Sequence, residues 1–287
     1  MAILVHKNTQ VIIQGATGKQ GMYHTQKMLE YNVSVVGGAT PGKGGQKVHG
    51  VPVFDTVAAA KKECEIDASM ILVPPAGVLD AALEAIENKI PLIVIITEFV
   101  PLHDTLIIRS MAEKNGVRVV GPNTIGVVSP GKSKVGIMPG YIYSEGNVGI
   151  ISRSGTLTHE VSSNLTYRGI GQSTCVCIGG DTVKGTDFVD VLKLFREDEQ
   201  TEVIVMIGEI GGAGEELAAK YVKENGYPKK IVAFIAGQTA PAGKKMGHAG
   251  AIVSQGLGTA ESKIKNLSEA GIIVARTLDE ILQVVRQ

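Results

Sequence analysis

At 287 residues the chain is long enough for two domains of ordinary size, each with a sizeable core. Its 28 basic and 28 acidic residues balance to zero without a long run of either sign, which sets aside nucleic acid and anionic membrane surfaces and favours small-molecule work. The three cysteines, Cys64, Cys175 and Cys177, form no paired framework and fit a reducing compartment; Cys175-Val176-Cys177 lies in an apolar run and reads as strand, not as metal ligands. No apolar run approaches the ~20 residues of a membrane span. Met1 to Lys7 lacks a cationic segment leading into an apolar region, so a soluble, cytoplasmic chain without export signal or transit peptide is expected.

The first half alternates strand and helix. Val11 to Ile13 is a short apolar run, followed by the turn Gly15 to Gly21 and a helical stretch from Met22 to Tyr31. Further strands are expected at Val33–Val36, Ser69–Val73, Leu92–Ile96 and Val117–Val120, with helices at Leu79–Asn88 and Asp104–Asn115 between them. Near-continuous apolar strands separated by helices predict a parallel sheet covered on both faces, a Rossmann-like domain.

Gly15, Gly18 and Gly21 stand where such a domain binds a pyrophosphate, because glycine lets the backbone approach and the next helix points free N–H groups at the anion. Which nucleotide binds depends on the end of the second strand. A dinucleotide site for NAD uses an acidic residue there, whereas this chain offers Gly37 to Gly45 with Lys43 as its charged group. The lysine favours a ligand with an extra phosphate on its ribose, and NADP and coenzyme A both qualify.

Residues 124–146, with Ser129-Pro130-Gly131 and Met138-Pro139-Gly140, read as a connection between a first domain over 1–123 and a second over 147–287. In the second half, strands at 148–151, 174–178, 203–207 and 231–236 each run into a glycine-rich loop at the carboxyl end. That edge of an open parallel sheet is where ligands bind, so the Ser154-Gly155-Thr156 turn, Glu209 and His248 are expected to share one crevice. His248 lies in Met246-Gly247-His248-Ala249-Gly250-Ala251, flanked by residues too small to hide it and preceded by Lys244 and Lys245. A helix starting near Thr156 would offer N–H groups and a positive dipole end to an anion opposite the ring. Glu209 would then fix the attacking tautomer through the other ring nitrogen. The sequence has no nucleophile elbow, no metal-site spacing and no Walker-type loop, so a phosphoryl donor must bind elsewhere.

Five ordered motifs carry a resemblance over essentially the whole length: Gln14 to Gly21, Thr40 to Gly45, Ile151 to Thr158, Met206 to Gly212 and Met246 to Ala251. With them the chain resembles the alpha subunits of succinyl-CoA synthetase, the succinate–CoA ligases. The resemblance implies an N-terminal Rossmann-like CoA-binding domain followed by a flavodoxin-like parallel-sheet domain. It implies CoA contacts at Thr17, Gly18, Lys19, Gln20, Lys43, Val73, Pro74, Ile96, Thr97 and Glu98, phosphorylation of His248 with Glu209 in support, and phosphate or substrate contacts at Ser154, Gly155, Thr156 and His159. It also implies an ATP-grasp beta subunit that binds ATP or GTP and Mg2+ and adds a second helix N-terminus to the phosphohistidine site, in an alpha-beta pair or a dimer of pairs.

Three positions depart from the family pattern: His159 stands where tyrosine is usual, Thr124-Ile125 where Cys-Pro is usual, and Thr182 where proline is usual. All three belong toward the acid-binding end, so succinate, malate or another short acid stay open, and His159 is a second phosphorylation candidate. Two other classes compete. An NADP-dependent oxidoreductase explains the glycine turn and Lys43 but leaves His248 idle, and a CoA-sensing regulatory protein explains the first domain alone.

Overall fold

The computed structural model describes residues 2–238, 250 and 258–286. Its chain divides into two compact units: residues 4–140 with 183–185, and residues 1–3, 141–182 and 186–287.

In the first unit, β1 (Gln10–Gln14), β2 (Ser34–Ala39), β4 (Val51–Phe54), β5 (Ala68–Ile71), β6 (Leu92–Ile95) and β7 (Arg118–Val120) form the parallel sheet, with β3 (Lys47–Val48) antiparallel on β4. The strand order is β3-β4-β2-β1-β5-β6-β7. Apart from the β3 edge, this is the doubly wound Rossmann order, which reverses direction between β1 and β5. The strands are apolar along their length because both faces are covered: Ile12, Ile71, Ile93 and Ile95 are fully buried. On one face they meet Val78, Ala82, Ala85 and Ile86 from α3 (Val78–Glu87) and Ile108 and Ala112 from α4 (Leu102–Asn115). Those residues recur every three or four positions, the spacing of one helix stripe. Helices α1 (Lys19–Glu30) and α2 (Val57–Ala60) complete the covering, and α4 stops where Gly116 takes a left-handed φ of 66°.

The stretch expected as a connection holds regular structure. β8 (Gly126–Ser129) and β9 (Ser133–Gly136) pair as an antiparallel hairpin, and residues through 140 group with the first unit. Gly126 and Gly136 face each other so closely that a Cβ on either would lie 2.2 Å from a carbonyl oxygen across the pair, so the glycines serve strand contact, not flexibility.

The second unit carries β10 (Glu145–Ser152), β11 (Gln172–Cys177), β12 (Val203–Glu209), β13 (Lys230–Ala236) and β14 (Ile273–Ala275). These lie parallel in the order β14-β13-β12-β10-β11, the flavodoxin-like arrangement with its reversal between β10 and β12. Helices α5 (Gly155–Tyr167), α6 (Phe188–Glu197), α7 (Gly214–Asn225), α8 (Ala260–Glu269) and α9 (Leu278–Arg286) cover it. Phe188, Val191, Leu192 and Phe195 form the buried stripe of α6. Truncating Phe195 would cost about 3–5 kcal/mol by the usual penalty for emptying an aromatic core site. Cys175 and Cys177 share one face of β11, buried and outside any disulfide, with burial holding the Cys175 thiol well above its ordinary range. Among the described residues no helix is long and apolar enough to cross a membrane.

Candidate functional site

The glycine turn sits at the reversal of the first sheet. β1 pairs with β5 in register, Gln14 opposite Ile71, so Gly15 and Leu72-Val73 leave adjacent strand ends. Gly15 has φ +86°, and a Cβ there would lie 3.1 Å from the Leu72 carbonyl oxygen; a Cβ on Gly21 would lie 2.1 Å from the Gly15 oxygen. Only glycine allows helix and turn to approach this closely. Gly18, at the N-cap of α1, has no capping side chain, and the first turn carries no acidic residue. The positive end of the helix dipole therefore faces the loop with no internal counter-charge, and Gly18, Lys19 and Gln20 are exposed beside it with Thr17 half-buried.

Around this turn the other expected contacts assemble. The Thr97 hydroxyl donates to the Val73 carbonyl (2.7 Å), and the Asn123 N–H donates to the Thr97 carbonyl (3.0 Å), tying together the ends of β5 and β6. Ile96 is half-buried, while Pro74 and Glu98 are exposed. The Lys43 loop is held from below: the Gly44 N–H donates to Asp55 Oδ1 (2.9 Å), leaving Lys43 exposed. A cleft of about 530 Å3 opens here, lined among others by Gln14, Ala39, Pro41, Val73 and Asp80. Gln14 braces it, its side-chain amide donating to the Ala81 carbonyl (2.9 Å) and accepting from the Ser69 hydroxyl (2.7 Å). An uncapped helix end, a glycine cradle and a free lysine fit a pyrophosphate with a further phosphate nearby.

In the second unit the adjacent strands β10 and β12 run in register, Ser152 opposite Ile207, so their carboxyl ends deliver Ser152-Arg153-Ser154 and Glu209 to neighbouring positions. Ser154 caps α5, its hydroxyl accepting from the Leu157 N–H (3.3 Å). Thr156 is exposed, and Gly155 and His159 are half-buried. Burial holds the His159 imidazole below its ordinary pKa, and its Nε2 is buried without a hydrogen-bond partner among the described residues.

Glu209 is only 6% exposed, so it is no solvated loop carboxylate. Arg153, itself buried, reaches it with Nη2 at 3.2 Å. The same guanidinium sends Nη1 to Glu215 Oε1 (3.2 Å) and to the Gly211 carbonyl (2.9 Å). Glu215 Oε1 also accepts the Glu209 N–H (3.0 Å), and its other oxygen is hydrogen-bonded to Lys263 of α8. Lys263 further meets Glu216 (3.3 Å). Burial pushes the Glu215 carboxyl up, but Arg153, Lys263 and the hydrogen bonds from Lys263 and the Glu209 N–H outweigh it and hold the group below its ordinary value.

Arg153, Glu215 and Lys263 escape reading along the chain. Their partners lie 48 to 62 residues apart, and Glu215-Glu216 opens a helix, where acids are expected for the dipole alone. The one available signal is an arginine set between a strand end and a helix cap, where a charge is costly unless paired. His248, Lys244 and Lys245 lie outside the described residues. Gly250, two positions after His248, is described: its N–H meets the Gly180 carbonyl (3.3 Å), and a Cβ on it would lie 2.8 Å from Arg153 Nη2.

Two parallel-sheet units, each opening glycine-lined loops at its strand ends, define a two-module α/β protein. The family model described as CoA binding domain matches residues 6–99, and that described as CoA-ligase matches residues 151–273. The chain is 51% identical over 287 residues to succinate–CoA ligase [ADP-forming] subunit alpha 2 of Archaeoglobus fulgidus, covering 100% of this chain and 99% of that one. It is 51% identical over 281 residues to the alpha subunit of the same name in Staphylococcus aureus, covering 98% and 93%. The chain belongs to the succinate–CoA ligase alpha-subunit family. Among solved structures, the ATP citrate lyase of Methanothrix soehngenii in complex with citrate and coenzyme A superposes with a TM-score of 0.91 at 26% identity, over 99% of this chain. This chain spans half the length of that one. A dinucleotide-forming acetyl-coenzyme A synthetase of Ca. Korarchaeum cryptofilum shares the fold, with a TM-score of 0.77 at 22% identity, over 96% of this chain and 59% of that one.

Proposed function

We propose that the chain is the phosphohistidine-bearing subunit of a nucleotide-dependent succinate–CoA ligase, working with a beta subunit of the ATP-grasp type that holds ATP or GTP and Mg2+. The observation that carries this reading is the meeting, at the reversal of the second sheet, of the Arg153-held Glu209 carboxylate, the capped start of α5 and Gly250 of the histidine motif. His248 takes the terminal phosphoryl, an N–P bond forming as the bond to the nucleoside diphosphate breaks. Glu209 accepts a hydrogen bond from the other ring nitrogen and so fixes the attacking tautomer. The start of α5, with Ser154, Gly155 and Thr156, receives the phosphoryl oxygens. The acid's carboxylate then takes the group from His248, and the thioester forms as the CoA thiol displaces phosphate.

Thr17, Gly18, Lys19 and Gln20 with the free end of α1 are the diphosphate cradle of CoA, Lys43 pairs its ribose phosphate, and Val73, Pro74, Ile96, Thr97 and Glu98 lead toward the thiol. The names of the relatives favour succinate. A second acid such as malate is favoured by one feature, the half-buried imidazole of His159, whose buried Nε2 has no partner among the described residues and is a group that a hydroxy acid would use.

The test is to copurify the chain with its natural partner and expose it to γ-labelled ATP and GTP. Acid-labile, alkali-stable label on this chain that vanishes in His248→Asn is expected, with discharge by succinate and CoA. A competent complex without label, or equal label in the variant, would remove His248 from its role and bring the CoA-sensor reading forward.

A further inference from the structure

The buried network behind Glu209 has no part in the steps above, yet it is costly. Lys263 and Glu215 are fully buried, Arg153 and Glu209 nearly so, and each would destabilise the fold if left alone. Three features distinguish it from a simple structural clamp. Glu215 Oε1 accepts from both the Arg153 guanidinium and the backbone N–H of Glu209, so one oxygen sets the side chain that holds the Glu209 carboxylate and the backbone that carries it. A Cβ on Gly208 would lie 2.6 Å from Glu215 Oε1, so the preceding residue is glycine where the carboxylate needs room. Finally, the network reaches the described ends of the histidine segment: Arg153 lies against Gly250, Lys263 sits in the first turns of α8, and the Gly211 N–H donates to the Gly258 carbonyl (2.8 Å).

From this geometry we infer that Glu215 is a positioning residue for phosphoryl transfer: it orients Arg153, which in turn orients Glu209 toward the histidine. Lys263 holds Glu215 at its other oxygen, so the carboxylate is fixed at both ends. The inference rests on the proposed role of Glu209 and extends it to a residue that touches no reacting atom.

The experiment uses the complete complex and measures single-turnover phosphorylation together with steady-state kcat and nucleotide KM. Glu215→Gln keeps the shape and removes the charge; it is expected to lower the phosphorylation rate on the order of 10- to 100-fold, as displaced supporting groups do, with KM within about twofold. Glu209→Gln is expected to show a similar loss, and the double variant no further loss beyond about twofold, because both act through one orientation. Multiplying losses in the double variant, or Glu215→Gln at the wild-type rate while Glu209→Gln is slow, would overturn the inference alone. A wild-type rate in Glu209→Gln would overturn it together with the supporting role of Glu209, and an unlabelled wild-type complex would overturn the functional reading itself. Thermal unfolding checks that the variants are folded. Should Glu215→Gln fail to fold, Arg153→Lys replaces it under the same decision rule, since one ammonium cannot span both carboxylates as the guanidinium fork does.

Discussion

Single residues decide whether the glycine turn works. A Cβ on Gly21 would sit 2.1 Å from the Gly15 carbonyl oxygen, a backbone atom that cannot step aside without moving the turn. Gly21→Ala should therefore cost about 1–3 kcal/mol as overpacking and weaken CoA binding about tenfold or more by calorimetry. Gly116→Ala is the control: its φ of +66° makes alanine strained by about 1–2 kcal/mol, but nothing lies within 4 Å, so CoA affinity should not change. Equal affinity in both variants would show that the turn does not shape the ligand site. Lys134 offers a pH test. Burial pushes its ammonium down to about 8, with repulsion from Lys27 and a partial offset by Glu30. Between about pH 8 and the ordinary lysine value the unfolded chain holds a proton that the native chain has lost, so this residue makes stability rise with pH in that window. Denaturant titrations of wild type and Lys134→Met across pH 8 to 10.5 should differ by that slope, and parallel curves would count against it.

At the level of elements, the two helix starts at the strand carboxyl ends are built differently. α1 begins at an uncapped glycine with no acidic residue in its first turn, whereas α5 begins at Ser154, whose hydroxyl takes one first-turn N–H. Ser154→Ala should then cost about 1 kcal/mol, and Ser154→Gly only a few tenths. A loss of about 2–4 °C in melting temperature is expected for the alanine variant in a unit of this size. No difference between the two variants would mean that the cap does not hold the helix start. The elements themselves were largely legible. Apolar runs such as Leu92–Ile95 and the stripe of α3 follow directly from period and burial. The hairpin of β8 and β9 was not, because residues 124–146, with Ser129-Pro130-Gly131, read as a connection along the chain and become strand only through the close approach of two backbones at Gly126 and Gly136.

For the molecule as a whole, two doubly wound sheets by themselves serve many ligands, so the choice among CoA, NADP and a sensor role belongs at this scale. A ligand that binds only the folded chain stabilises it by RT ln(1 + [L]/Kd), about 2.7 kcal/mol at a hundredfold excess over Kd. CoA should raise the melting temperature of the chain, and NADPH should leave it unchanged. The reverse result would restore the oxidoreductase reading. Dephospho-CoA should stabilise less than CoA, and Lys43→Ala should remove that difference if, as proposed, the lysine pairs the ribose phosphate.

By itself the sequence determined the two α/β units, the glycine turn at Gly15 to Gly21 and a helix starting near Thr156, one residue from where α5 begins, since each depends on local period, capping or backbone freedom within a few residues. Tertiary structure decided the strand orders that put Gly15 beside Val73 and Ser152 beside Ile207. It also decided the pairing of Arg153, Glu209, Glu215 and Lys263. Those charges are tolerable in the interior only when they meet partners 48 to 62 residues away, and the low dielectric that enforces the pairing exists only after the chain has folded.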